Sequence, residues 1–387
     1  MYRNYAALYN FSYMAIGALT PLIAQYLKYV GFSGAQIGTI TAAGTTVAVF
    51  ASVFWGGVYS STLSKHRVLM LLMIMAATSG IVLSQVSGYI TTVIVFGVMY
   101  FFQAPVIALA DAFTVDRNSG FGGLRTWGAV GFAMGVCITA RVVDCFSPAA
   151  LFVVYVSCYL LASTSVFIIS RKTSCGDMES NKKTGFRGYP KVLANRQLRR
   201  LILCTFFFGG TNVANNTYFS FLYTDGGGTL AGVGICMLIM VGSEAPFMAY
   251  SRKLSDRFTI EKVILVAMMV SVIRFALYAA GLPWYLLILT GFMQGIVNGL
   301  LLVEFVRYVA MIAPDHIRSL AISTYYIIGS HISTILCQVI GGYLLEYMGS
   351  SGVYGFFSLF NLVGIMLYII FGLWKSQKSV DNDDVSW

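Results

Sequence analysis

The sequence predicts an all-α membrane protein in which twelve transmembrane helices form two pseudo-symmetric six-helix bundles. Three observations lead there. The composition is 58% hydrophobic and only 10% charged, with a mean hydropathy of +0.77, whereas a soluble domain carries about 25% charged residues to cover its water-facing surface. Short Gly, Pro, Ser or charged stretches interrupt the apolar runs about every 25 to 30 residues, the length of one bilayer crossing plus a turn. A single long hydrophilic stretch, Arg171 to Arg200, holds nine of the 25 Lys and Arg residues and divides the chain near its middle. The expected units are a first bundle over residues 1–170, a basic cytoplasmic connector over 171–200, a second bundle over 201–374 and a cytoplasmic tail over 375–387.

The elements follow in order. Arg3 precedes an apolar run over residues 5–30 that has no small-residue cleavage site, so it reads as a retained first span with its N-terminus inside. A Gly-Phe-Ser-Gly turn at 31–34 leads into a second span at 36–59, and Lys65, His66 and Arg67 mark a cytoplasmic loop. The third span covers 68–86, a Ser87-Gly88 turn follows, and the fourth reaches Phe113 before Asp116 and Arg117 mark the inside again. The fifth covers 123–143, an outside turn runs from Asp144 to Pro148, and the sixth ends at Ser170. In the second half the spans fall at 201–223, 230–250, 263–280, 284–306, 320–345 and 353–373. Arg252, Lys253, Arg257, Lys262, Arg318, Lys375 and Lys378 all lie on the expected inner side, while Lys28 and Arg141 alone approach the outer one. Residues 66–111 resemble 262–307 at an offset of about 195, with Val68/Val263, Tyr89/Tyr285 and Phe96/Phe292 in register. Two parallel six-span repeats imply a pseudo-two-fold axis along the membrane normal and a binding site between them near mid-depth.

These features exclude several classes. A formal charge of +10 suggests nucleic acid, but its confinement to alternate loops is the positive-inside pattern, which makes the lipid bilayer the expected partner. The seven cysteines are scattered singly, without the spacing of a disulfide framework or metal site. No phosphate-cradling loop, dinucleotide fingerprint or nucleophile elbow appears in a supporting context, so enzymatic activity is not expected. No cofactor beyond a proton gradient is implied, and a monomer is expected to suffice.

Gly17-Ala18-Leu19-Thr20-Pro21, the run from Phe121 through Arg125 and Trp127 to Phe132, the pair Ser243-Glu244, and Arg274 together resemble the major facilitator superfamily. More narrowly, they resemble its branch of lactose permease, oligosaccharide and nucleoside proton symporters, and phenylpropionate permeases. The superfamily's inner-loop signature is degraded: Ser60 and Ser61 stand at its acidic and basic positions in the first half, and only the second half keeps Asp256-Arg257. The resemblance implies a secondary transporter of the bacterial cytoplasmic membrane, with both termini inside, whose halves rock about a central site. It implies proton-driven uptake of a small polar solute, a sugar or glycoside ahead of a nucleoside. Alternatives are a symporter of aromatic or other organic acids, a proton-antiporting exporter of amphipathic compounds, and a membrane receptor that transports nothing.

A charge placed in hydrocarbon costs about 2.5 to 3.5 kcal/mol on insertion scales, so each ionisable residue within a span is a candidate for function. Six qualify: Asp111, Arg125, Glu244, Arg274, Glu304 and Arg307. Asp111 ends the fourth span and Arg125 opens the fifth, so they can meet as a substrate-holding pair or as a structural ion pair. Trp127 and Phe132 offer an apolar plate, and by the resemblance Phe132 stands where a ring stacks on sugar; core packing is the other reading of each. Glu244, beside Pro246, is expected in a cavity, and the resemblance gives it both substrate binding and proton coupling. Arg274 matches the ninth-span Arg of the branch and is expected to act on a nearby carboxylate. In the tenth span Gln294 and Val297 stand where lactose permease has a His and a Glu, so coupling is assigned instead to Glu244 or Glu304. Glu304 lies three residues before Arg307, close enough for an intrahelical pair. Asn212 and Asn216 share a helical face in the seventh span and, with Asn298 in the tenth, suit a hydroxylated solute or serve as interhelical glue. His331 reads as a packed or pore-lining side chain.

Overall fold

The computed structural model describes residues 2–62, 64–115, 121–172, 194–314 and 318–375. Its regular elements are all helical. The first half contains α1 (Tyr2–Leu19), α2 (Ile23–Val30), α3 (Gly34–Ser61), α4 (Lys65–Leu83), α5 (Tyr89–Gln103), α6 (Pro105–Val115), α7 (Phe121–Cys145) and α8 (Leu151–Lys172). Proline accounts for the two divided spans: α1 gives way to α2 at Pro21, and α5 to α6 at Pro105, since proline donates no backbone hydrogen bond and its ring crowds the preceding turn. The start of α3 is set by a capping box, in which Ser33 Oγ accepts from the Gln36 N–H at 3.4 Å and Gln36 Oε1 accepts from the Ser33 N–H at 3.0 Å.

The second half contains α9 (Arg196–Asp225), α10 (Leu230–Phe258), α11 (Ile260–Ala279), α12 (Trp284–Ile312), α13 (Arg318–Thr324), a π-helical segment (Tyr325–Ile332) and α14 (Ser333–Ile370). Asn195 caps α9, its Oδ1 accepting from the N–H groups of Gln197 and Leu198 at 3.1 Å each. Helix therefore takes in the last part of the expected connector, and α8 extends just past the expected end of the first bundle at its other side. Residues 173–193, Asp116, Arg117 and the tail from 376 onward lie outside the described residues.

Nine helical stretches among the described residues are long and apolar enough to cross a bilayer. One, Leu320–Ile370, spans 51 residues and holds both final expected spans; it breaks at Gly349, whose φ of 69° is left-handed and suits glycine. The two expected spans outside that set, on α9 and α11, are those that carry the Asn cluster and Arg274.

The halves meet at the end of the molecule away from the C-terminal ends of α3 and α8. There the backbones of α3 and α14 touch, because a Cβ on Gly38 would collide with the Gln338 carbonyl and one on Gly342 would lie 2.6 Å from the Gly34 carbonyl. Thr45 Oγ1 donates to Gln338 Oε1 at 2.9 Å across this seam, and the Ala35 N–H donates to Glu346 Oε2 at 3.0 Å. A second seam joins α7 to α10: a Cβ on Gly234 would lie 3.0 Å from the Cys137 Cα, and Cys137 Sγ donates to the Gly234 carbonyl at 3.3 Å. Small residues allow this approach where lipid gives helices no hydrophobic drive to associate. The larger apolar core runs through the first half and across the seam into Tyr218, Phe275 and Phe357, while the smaller one lies within the second half around Phe208, Val297 and Tyr308.

Candidate functional site

A cavity of about 170 Å³ opens between α9, α10, α12 and the π-helical segment, all from the second half. Its polar lining is Thr205, Asn212 and Asn216 from α9, Glu244 from α10, Asn298 from α12, and Tyr325, Tyr326 and Ser330 from the π-helical segment; Phe208, Leu301 and Phe305 supply much of the apolar wall.

One close helix contact shapes this hollow. In a regular α9 the Gly210 N–H would bond to the Phe206 carbonyl. The Ser333 hydroxyl reaches both groups, accepting from Gly210 at 3.1 Å and donating to the Phe206 carbonyl. This contact lies two residues before Asn212. Both Gly209 and Gly210 are required here, since a Cβ on the first would strike the Gly329 carbonyl and one on the second the Ser333 side chain.

Glu244 projects from α10 and is held by neutral donors. Asn298 Nδ2 donates to its Oε1 at 2.9 Å, and Gln294 Nε2 approaches the same oxygen at 3.5 Å. These two amides stand one turn apart on α12, so a single face of that helix grips the carboxylate. Gln294, at the position where the resemblance puts the histidine of lactose permease, is a donor to the carboxylate here.

Arg274 on α11 is fully buried, at 0% exposure. Its Nη2 donates to Asn212 Oδ1 at 3.0 Å, and the guanidinium lies 4.4 Å from the centroid of Phe275, a cation–π arrangement. Its Nε and Nη1 have no hydrogen-bond partner, and no carboxylate of the described residues makes a salt bridge to it. Asn212 also donates one Nδ2 N–H to the Phe208 carbonyl at 3.1 Å, which leaves its amide a second N–H and a second lone pair. The cation therefore stands behind Asn212, outside the cavity lining, and orients an amide that faces the cavity.

Glu304 makes the intrahelical pair with Arg307 that its spacing allows. It does not line the cavity, its side chain is fully buried, and both its oxygens accept from Arg307 Nη1, at 2.8 and 3.1 Å. The pair sits one turn along α12 from the cavity-lining Leu301 and Leu302, satisfied within its own helix.

The first-half candidates form a separate group. Asp111 Oδ1 accepts from the buried Tyr9 hydroxyl at 2.7 Å. Asn10 Nδ2 donates to the Trp127 carbonyl at 3.4 Å, and the Trp127 ring is 44% exposed. Phe132 packs on the first-half core, its backbone against Gly17. Asp111, Trp127 and Phe132 do not line the second-half cavity, and the side chain of Arg125, with its expected bond to Asp111, lies outside the described residues. His331 is half-buried and also off the lining. Sequence reasoning missed Tyr325, Tyr326 and Ser330; the visible signals were the adjacent tyrosines and the glycine pair at 209–210, and neither points to a cavity unless the two helices are known to pack together.

Comparison with known proteins agrees with this architecture. The profile of the MFS_1 like family matches residues 2–356. The maltose permease of Geobacillus stearothermophilus is 30% identical over 380 residues, covering 97% of this chain and 95% of that one. The probable 3-phenylpropionic acid transporter of Escherichia coli (strain K12) is 25% identical over 374 residues, covering 93% and 94%. Among solved structures, a mutant form of the nucleoside transporter NupG superposes with a TM-score of 0.86 at 17% identity, covering 97% of this chain and all of that one, a likeness of fold. The chain belongs to the MFS_1 like family, and with it to the major facilitator superfamily: it is a multi-pass membrane transporter and not an enzyme.

Proposed function

We propose that this major facilitator takes up a neutral, hydroxylated solute, a sugar or glycoside, together with a proton. The observation that carries the reading is the lining of the cavity: Glu244 is its one charged side chain among the described residues, and the other polar groups are amides and hydroxyls. Such a set offers donors and acceptors at several angles and matches a solute rich in hydroxyls. The similarity to a maltose permease over nearly the whole chain supports the same class.

An organic acid is the main rival, favoured by the similarity to a 3-phenylpropionic acid transporter and by the unpartnered N–H groups of Arg274. The arrangement opposes it. A substrate carboxylate in the cavity would meet Glu244, while Arg274 has no exposed surface and its one hydrogen bond goes to Asn212.

For the proton, Glu244 is the proposed carrier. Its partners are neutral amides that hydrogen-bond the carboxylate without cancelling its charge, so a proton or a solute hydroxyl can compete for the same oxygens. Charge at mid-membrane is costly, and taking up a proton removes that cost for the loaded carrier. The proposed setting is a bacterial cytoplasmic membrane with both termini inside, consistent with the basic loops, and a monomer as the working unit.

Uptake of labelled maltose, uridine and 3-phenylpropionate into vesicles, with and without an imposed pH gradient, tests the reading. Maltose should accumulate only with protons driven inward. Accumulation indifferent to the gradient would remove symport, loss of solute from loaded cells would favour an exporter, and accumulation of phenylpropionate alone would replace the solute class.

A further inference from the structure

The eleventh span changes helix type where it meets the cavity. Tyr325–Ile332 is π-helical over 8 residues, between two α-helical stretches. Such segments are rare, usually a single turn, and frequent at functional sites. The wider turn rotates the side chains that follow it relative to a continuous α-helix. Packing holds the segment in this form: the Gly329 carbonyl lies against Gly209, and Ser333, immediately after the segment, is bonded to the α9 backbone.

Three side chains of the segment, Tyr325, Tyr326 and Ser330, line the cavity. The two rings differ in exposure. Tyr325 is 7% exposed and backed by Phe305, with centroids 6.3 Å apart, whereas Tyr326 is 38% exposed, its centroid 4.9 Å from that of Tyr325 and its plane inclined by 59°. One tyrosine thus acts as a buried brace and the other presents a ring. Asn212 and Asn216 border the same hollow from α9.

Resting on the sugar reading above, we propose that Tyr326 is the ring platform of the second half, on which the apolar face of a pyranose seats while Ser330 and the α9 amides take its hydroxyls. A pyranose has a C–H face and a polar rim. An aromatic ring answers the face, because its negative quadrupole attracts the C–H groups and both surfaces leave water. Amides and hydroxyls answer the rim. The sequence resemblance placed the sugar-stacking ring on Phe132; this cavity supplies its own ring from the opposite half, and Tyr326 becomes a residue that determines specificity.

The test is equilibrium binding of maltose to the purified full-length protein, for the wild type, Tyr326→Phe and Tyr326→Leu, with elution profile and melting temperature checked for each. Tyr326→Phe keeps the ring and should bind within about twofold of wild type, whereas Tyr326→Leu keeps apolar bulk without a π face and should bind roughly tenfold more weakly. Should the Leu variant fail to fold, Tyr326→Met supplies the same comparison. Equal binding by wild type and the ring-less variant overturns the platform and leaves the sugar reading standing, as does a loss with Phe as large as that with Leu. A wild-type protein that binds uridine or 3-phenylpropionate but not maltose overturns the sugar reading and the pyranose platform together.

Discussion

Two carboxylates of the second half stand on neighbouring helices in opposite circumstances. Glu304 is sealed and answered by the Arg307 guanidinium on the next turn of its own helix. Glu244 borders a cavity and takes its hydrogen bonds from the amides of Asn298 and Gln294, with the Arg274 cation acting on it through space. An ion pair closed within one helix has no need of a ligand or a proton, because each member offsets the desolvation of the other. A carboxylate gripped by neutral donors beside open space has no hydrogen-bonded cation, so a proton or a solute hydroxyl that enters the cavity can compete for its oxygens. Position in a hydrophobic span marked both residues as candidates; their partners tell the structural pair from the working group.

The largest effect should come from Glu244→Gln, which keeps the size and acceptor oxygen but can take up no proton. Gradient-driven accumulation should fall by roughly a hundredfold or more, the scale of a lost coupling interaction of about 3 kcal/mol, while solute exchange down its own gradient persists. The matched control is the double change Glu304→Gln with Arg307→Gln, which should still accumulate solute. If the control loses accumulation and Glu244→Gln retains it, the contrast between the two carboxylates is reversed.

Arg307→Ala alone should act on stability. It leaves Glu304 buried with no cation, and the expected loss is about 2 kcal/mol, less than for a fully sealed pair because Arg307 itself is 38% exposed. Denaturation of the purified protein in detergent, run as a double-mutant cycle with Glu304→Gln, should return most of that loss in the double variant. An additive cycle would mean that the two side chains do not support each other.

Asn298→Ala removes the shorter of the two amide contacts to Glu244. A hydrogen bond to a charged acceptor is worth about 1.5 kcal/mol or more, so the KM for solute should rise roughly tenfold with the gradient still driving uptake. An unchanged KM would place the solute away from Asn298.

The smallest expected effect lies at the seam. Glu346 accepts from the Ala35 N–H near the start of α3, where the helix N-terminus favours an anion, and Glu346→Gln weakens that link between halves. Labelling of Cys137, which sits in the α7–α10 seam, by a membrane-impermeant maleimide should speed up about two- to fivefold. An unaltered rate would mean that the seam is held by its glycine contacts alone.

Much of the fold was legible in the chain itself. Apolar runs of bilayer length, the charged punctuation, and Pro21 and Pro105 as breaks depend only on composition along the backbone, and the helices begin and end within a few residues of where those signals fall. The site was legible in part. Asn212, Asn216, Glu244 and Asn298 were marked because polar groups in oil are conspicuous, and they share one cavity. Their pairings were not readable. Arg274, expected to act on a nearby carboxylate, lies near enough for its charge to reach Glu244 but hydrogen-bonds to Asn212, and Glu244 hydrogen-bonds to amides two helices further along the chain.

What the sequence alone determined is which segments enter the membrane and which faces of each helix are polar, since a 3.6-residue period and the cost of charge in hydrocarbon are local matters. The rotation of each helix against its neighbours came only with tertiary structure. That rotation depends on Gly209, Gly210 and Gly329 meeting across two helices, and on one serine hydroxyl bonding to another helix's backbone. These contacts join residues more than a hundred positions apart, and no periodicity along the chain encodes them.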